Sequence, residues 1–342
     1  MAPPPLAPPP PPMARLGPMD ATLITYGSLL GGLILLTLGG DTLVRGATTA
    51  AKRMGVSPLL IGLTLVGFGT STPELVTSLT AIQAGSPGIA IGNVVGSNTA
   101  NILLILGVTA LIAPIVVDRA AFRRDGVVLV LASLACAAAV LAGRVATVAG
   151  AVMVGMLLVY LVVAYLGERG VQDAERAKYE HIAEDAPRSK AGLWTGLGLA
   201  VAGIALTIFG ARLLVDGAVV IARDFGVSDT VIGLTVVAIG TSLPELVTSV
   251  MAAVRGRADV ALGNVIGSNI YNVLGVLGIT ALLAPFEVPA AIARLDIWVM
   301  LAATALLVLF VRTGMKIVRL EGLILLAAYA GYIGWLAVGA TA

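Results

Sequence analysis

The feature that constrains this chain most is an internal duplication. At an offset of 171 residues the sequence repeats itself, without a gap from about Gly46 to Asp125. GVSPLLIGLTLVGFGTSTPELVTS, from Gly55, returns as GVSDTVIGLTVVAIGTSLPELVTS, from Gly226; GNVVGSNTANILLILGVTALIAP, from Gly92, returns as GNVIGSNIYNVLGVLGITALLAP, from Gly263. Runs of this length do not match by chance, so the chain folds as two copies of one unit.

The unit is built for lipid. Of 342 residues, 58% are hydrophobic and only 12% charged, against roughly a quarter charged in a soluble domain. Apolar runs longer than the roughly 18 to 20 residues that cross a bilayer recur along the chain. They predict spans near 23–40, 57–84, 89–113, 126–142 and 145–166, then 192–211, 227–254, 260–286, 297–311 and 321–340. The expected fold is therefore an all-α integral membrane protein of ten helices in two five-helix repeats, 22–166 and 192–342. A proline-rich tail at 1–21 precedes them, too poor in amide donors for a helix. The polar segment 167–191, with six acidic and five basic residues, reads as a loop, and its His181 as solvated. Cys136, the single cysteine, sits in an apolar run and reads as packing.

An odd number of spans per copy makes the second copy enter the membrane from the opposite side. Charge gives an independent reading, because cytoplasmic connections are rich in Lys and Arg. With both termini outside, 16 basic residues fall on inner connections and 5 outside. A multi-pass cell-membrane protein with N- and C-termini outside and a cytoplasmic central loop is expected. Inverted repeats are a hallmark of secondary transporters, which bind substrate between the halves near the midplane; the site must still carry the functional argument.

Glu74 and Glu245 occupy matching positions in the middle of the second and seventh spans. An acidic side chain at a helix centre costs about 2.5 to 3.5 kcal/mol on insertion scales, so a matched pair calls for a function. Thr70 and Ser71 precede Glu74 by four and three residues, and Thr241 and Ser242 precede Glu245 likewise, spacings that share one helix face. Carboxylate and hydroxyl oxygens suit hard cations such as Na+ and Ca2+; His and Cys, which transition metals prefer, are missing from both motifs. Pro73 and Pro244 remove the N–H groups that would bond the Gly69 and Gly240 carbonyls, and Gly67, Gly69 and Gly240 permit local unwinding, tolerated where backbone lines a polar cavity. The third and eighth spans offer a facing wall: Ser97, Asn98 and Asn101, and Ser268, Asn269 and Asn272. Some of these polar groups are expected to join helices instead.

GTSTPE and GTSLPE, each followed by GNVVGSN or GNVIGSN, resemble the two alpha-repeat motifs of the sodium/calcium exchanger family within the calcium/cation antiporter superfamily. The resemblance covers nearly the whole chain after the tail and implies ten helices in two inverted halves. It implies that Glu74 and Glu245 are shared ligands of Ca2+ and Na+, with hydroxyl ligands at Thr70, Ser71, Ser97, Thr241, Ser242 and Ser268. It adds the backbone carbonyls of Gly67 and Ala238, and Asn101 and Asn272 beside the central site. Some prokaryotic relatives carry Asp where this chain has Asn272. The resemblance also implies that the first and sixth helices slide across a fixed core. Gly27 with Gly31, and Gly192 with Gly196, are expected to keep that contact flat, and Asp41 with Arg45, and Arg212 with Asp216, to pair at helix ends.

The reading is a secondary antiporter exchanging Ca2+ for Na+ by alternating access, with Ca2+/H+ exchange as the alternative. Neither HExxH nor GxGD is present, so no enzyme is expected. The expected partners are Ca2+, Na+ and the bilayer, with no cofactor, nucleic acid or protein partner.

Overall fold

The structure is a computed structural model describing residues 18–54, 56, 58–179, 190–225 and 238–341. His181 and the opening of the seventh expected span, including Gly226, lie outside the described residues, as does the tail up to residue 17.

Among the described residues, eight helices are long and apolar enough to cross a membrane: Leu23–Met54, Pro87–Ile112, Arg119–Leu141, Thr147–Gly167, Gly192–Ile221, Ala258–Leu283, Ile292–Gly314 and Arg319–Val338. The two remaining expected spans are the broken ones that carry the glutamates. The first is Pro58–Ile61, a π turn at Gly62–Val66, Gly67–Thr70, a break at Ser71, and Thr72–Gln83. Its counterpart is described as Ala238–Thr241, a break at Ser242, and Leu243–Val254.

Several helices outrun the apolar segments that reveal them. The first runs Pro18–Met54, about 55 Å at 1.5 Å per residue. Beyond Gly40 it continues because Asp41 pairs with Arg45 at 3.0 Å, and because Thr42, Thr48 and Thr49 donate back to carbonyls four residues earlier. Arg255 also pairs with Asp41, tying the interior of this helix to the turn after Leu243–Val254. The helix from Thr147 continues past Gly167 to Tyr179, since ERGVQDAERAKY is mostly composed of good helix formers. Asp118 caps Arg119–Leu141 by accepting from Ala121 N at 2.7 Å.

The all-helical expectation meets one local exception. Pro114 and Pro285 disfavour helical backbone at the residue before them, so the chain leaves its helices extended at Ala113 (φ −142°) and Ala284 (φ −150°). Two-residue strands follow and pair across the repeats: β1 (Ile115–Val116) with β4 (Lys316–Ile317), and β2 (Arg144–Val145) with β3 (Phe286–Glu287), both antiparallel.

The duplication reappears as reciprocal bonding. Asn98 Nδ2 donates to the Asn269 carbonyl at 3.2 Å, and Asn269 Nδ2 donates to the Asn98 carbonyl at 3.4 Å. Ser133 meets its own counterpart, Thr304, at 3.2 Å. Around this two-fold centre the Pro87–Ile112 and Ala258–Leu283 helices are the most enclosed, 72% and 83% buried, while the Arg319–Val338 helix is 11% buried and turns apolar side chains outward. Cys136 is buried core.

Along one side the first helix lies antiparallel to Lys190–Asp224, and the contact differs from expectation. A Cβ at Gly27 or Gly31 would meet nothing within 4 Å. The contact runs instead through glycines seven apart. A Cβ on Gly32, Gly39 or Gly46 would lie 2.7, 2.7 or 2.3 Å from the backbone N of Leu214, Thr207 or Ala200. One on Gly196, Gly203 or Gly210 would lie 2.8, 2.4 or 2.7 Å from that of Ala50, Leu43 or Leu36. Gly196 thus belongs to the contact, whereas Gly192 faces the Arg53 side chain. A seven-residue period follows the seam of two helices wound gently about each other, and small residues let their backbones touch.

Candidate cation site

Both glutamates sit just past a break. Ser71 (φ −83°, ψ 9°) and Ser242 (φ −90°, ψ 6°) leave the helical path, and Pro73 and Pro244 fall in the first turn of the helix that restarts. There a missing N–H is harmless and the fixed φ helps initiation, so each proline is a helix starter. The break corrects two expectations. Thr70 and Glu74 are not on one continuous helical face, because the turn intervenes. The Gly69 carbonyl is not left free either, since backbone N–H groups of the turn recover both Gly67 and Gly69. Glu74 and Glu245 lie in the first turns of their helices, where the peptide dipoles favour negative charge.

Each restarted helix is held by an asparagine from the neighbouring span. Asn93 Nδ2 donates to the Glu74 carbonyl and to Ser78 Oγ, both at 3.0 Å. Its counterpart Asn264 donates to the Glu245 carbonyl at 3.1 Å and to Ser249 Oγ at 2.9 Å. These braces were missed in the sequence, though identity of Asn93 with Asn264 and of Ser78 with Ser249 across the repeats was a visible signal.

The two halves then interlock. Ser71 Oγ donates to Glu245 Oε1 at 2.8 Å, so this hydroxyl serves the carboxylate of the opposite repeat. Ser268 Oγ donates to the Gly67 carbonyl at 3.1 Å, and Thr70 Oγ1 lies 3.2 Å from Asn264 Oδ1 and 3.1 Å from the Val66 carbonyl. Ser242 lies beside Glu74, its hydroxyl directed at Ser97 Oγ at 3.5 Å. Such closeness needs glycine: a Cβ on Gly267 would fall 2.2 Å from the Leu63 carbonyl oxygen, and one on Gly67 3.0 Å from Ser268 N. Thr241 ends the short Ala238–Thr241 helix and is half-buried; Ala238 opens it.

Asparagines divide by role. Asn98 and Asn269 join the helices, and Asn101 Nδ2 donates to Asn269 Oδ1 at 2.9 Å, leaving Asn101 Oδ1 available. Asn272, fully buried, has neither amide atom hydrogen-bonded among the described residues. Asn101 opens one π turn, Asn101–Ile105, and Asn272 lies in another, Tyr271–Leu277; such turns are frequent at functional sites.

Among the described residues, Glu74 Oε1, Glu74 Oε2 and Glu245 Oε2 are buried without a hydrogen-bond partner, as are Asn101 Oδ1 and Thr248 Oγ1. Both glutamates are fully buried and close enough to interact electrostatically. Buried polar atoms are normally satisfied, and burying an unpaired carboxylate is costly. The atoms left over are almost all oxygens, the donor type a hard cation takes.

With this geometry in view, known proteins add a direct comparison. The sequence profile of the sodium/calcium exchanger protein family matches the chain twice, over residues 24–166 and 195–338. The chain belongs to the sodium/calcium exchanger family. Among its relatives in this family, the putative antiporter CaxA of Alkalimonas amylolytica is 42% identical over 89% of this chain and 96% of its own. The sodium/calcium exchanger MaX1 of Methanosarcina acetivorans is 34% identical over 91% and 97%. A solved structure of the sodium-calcium exchanger NCX_Mj, soaked with 10 mM Na+ and zero Ca2+, superposes with a TM-score of 0.80 at 35% identity, covering 92% of this chain and 99% of that one. Other structures of NCX_Mj come from soaks that include Ca2+ or Sr2+. This exchanger-family chain is thus a multi-pass membrane antiporter with family likeness in both repeats.

Proposed function

We propose that this protein exchanges Ca2+ for Na+ by alternating access, with Glu74 and Glu245 as the shared anionic ligands. The observation that carries the reading is the set of three buried carboxylate oxygens without donors among the described residues, placed between two repeats that bond each other reciprocally. Two ionised carboxylates balance one Ca2+. The neutral oxygens of Thr70, Ser71, Ser97, Thr241, Ser242 and Ser268, the carbonyls of Gly67 and Ala238, and the amides of Asn101 and Asn272 complete the proposed set. They add coordination without charge, which lets more than one Na+ replace one Ca2+. The names and soaking ions of MaX1 and NCX_Mj favour the same pair of substrates.

The proposed architecture is ten spans in two inverted halves, with residues 1–21 as a tail whose end, from Pro18, already joins the first helix, 22–166 and 192–342 as the halves, and 167–191 as a cytoplasmic connection. The strand pairs support it, since paired loops must lie on one side of the membrane. Counting ten spans places β1 and β4 together inside and β2 and β3 together outside.

Proteoliposomes loaded with Na+, with choline, or with acid test the function. Ca2+ uptake should follow internal Na+ and stop in choline. Uptake in choline driven by internal acid would replace this reading with Ca2+/H+ exchange.

A further inference from the structure

A second site lies away from the glutamates, between the fourth and ninth expected spans. A groove of about 440 Å³ separates the Arg119–Leu141 and Ile297–Gly314 helices. Arg119 and Arg123, four residues apart on one helical face, line it with Arg312, from the last turn of the other helix. The rest of its lining is largely apolar, with Phe122, Val130 and Val308. We propose that this groove binds an anionic phospholipid, its phosphate among the three guanidinium groups and an acyl chain along the apolar walls.

Three observations support that occupant. All three arginines are exposed, and among the described residues none has an ion-pair partner. Among the described side chains, the carboxylates nearest these arginines in sequence are engaged elsewhere: Asp118 with Ala121 N, Asp125 with Arg124, and Glu321 with Val318 N. Guanidinium groups pair with phosphate through parallel hydrogen bonds, and three of them are matched to an anionic headgroup.

The second observation uses the duplication as an internal control. At the 171-residue offset, Arg119, Arg123 and Arg312 correspond to Ala290, Arg294 and Leu141. The two-fold-related surface keeps an arginine at one of these three positions and has Arg144 where the groove has Met315, so it carries two arginines against three. Folding of the repeat does not require the cluster; it belongs to one end of the molecule. In the orientation proposed above, on which this inference rests, that end is cytoplasmic, where basic pockets between membrane helices meet anionic headgroups.

The third observation separates a lipid from a free anion. Val127 and Leu131, in the same groove, are 53% and 49% exposed. An acyl chain covers such walls and a free phosphate ion does not.

The test uses the full-length protein in phosphatidylcholine proteoliposomes with spin-labelled phosphatidylglycerol, comparing its association with that of spin-labelled phosphatidylcholine. At about 1 kcal/mol per arginine near the surface, the preference for phosphatidylglycerol should fall about fivefold in Arg123→Gln. It should fall about a hundredfold in the Arg119→Gln/Arg123→Gln/Arg312→Gln variant. Arg294→Gln should leave it unchanged. The single variant keeps the test decisive if the triple variant does not fold. Undiminished preference in the variants, or an equal loss in Arg294→Gln, overturns the site. Displacement of the labelled lipid by inorganic phosphate alone would show a free-anion site instead. Lipid preference is read without ion flux, so its loss with Na+-driven Ca2+ uptake intact removes only this inference. Preference without uptake removes only the exchanger reading.

Discussion

Glu74→Gln is the most informative substitution, because both Glu74 oxygens lack a partner whereas Glu245 has one oxygen held by Ser71. The change keeps the side-chain volume and removes the charge. Breaking a buried ion pair by deleting one partner costs about 3–5 kcal/mol, which corresponds to roughly two to three and a half decades of Ca2+ affinity. Ligand binding stabilises the folded state by about 2.7 kcal/mol when Ca2+ is at a hundred times its Kd. A hundredfold weaker site leaves about 0.4 kcal/mol at the same Ca2+ concentration. Thermal unfolding of purified protein across a Ca2+ titration should therefore show a large Ca2+-dependent shift in the parent and almost none in Glu74→Gln. The ion-free transition should be at least as high in the variant, because a buried carboxylate without a donor has been replaced by a neutral amide. A variant that keeps the parental Ca2+-dependent shift would refute the assignment of Glu74 as a ligand. One that unfolds far earlier without Ca2+ would refute the argument that its carboxylate is uncompensated.

Three further expectations follow from other parts of the structure. Asn264→Ala leaves the Glu245 carbonyl and Ser249 without their common donor and should lower stability by about 1–3 kcal/mol per unsatisfied group; unchanged thermal unfolding would contradict the bracing role. Gly203→Ala places a methyl 2.4 Å from Leu43 N and should disrupt the long helix pair and its transport, whereas Gly31→Ala, with open space around it, should be tolerated; equal Ca2+ uptake by the two variants would sink the glycine-seam account. In a Cys136→Ala background, Arg144→Cys and Lys316→Cys should react with an impermeant thiol reagent from outside and inside respectively, and labelling from one face alone would contradict the proposed topology.

How much could be read from the sequence depended on what the repeat displayed. Glu74 and Glu245 stood out in the sequence because two nearly identical contexts held a charge in an apolar run, and proline chemistry pointed to a broken helix, although the break falls at Ser71 and Ser242 rather than at the glycines. Which hydroxyl serves which carboxylate was not visible, since Ser71 reaches Glu245 only after the repeats interlock at Gly267 and Leu63. Spacing by four suggested Gly27 and Gly31 as the helix contact. The real seam at Gly32, Gly39 and Gly46 has a period of seven, and a wound pair selects it over its neighbours. Helix ends such as Thr147–Tyr179 ran past the apolar window because charged helix formers continue the backbone beyond the apolar run. The cross-repeat strands came from single prolines and a tertiary meeting that no local pattern announces.

Competition at equilibrium tests the central claim most directly. Ca2+ binding to purified protein, measured with 45Ca2+ at fixed pH while Na+ is raised against choline, should weaken competitively, with more than one Na+ displacing each Ca2+, and Glu245→Gln should abolish the competition together with the binding. Ca2+ binding indifferent to Na+ but displaced by acid would contradict a shared Na+ and Ca2+ site at Glu74 and Glu245.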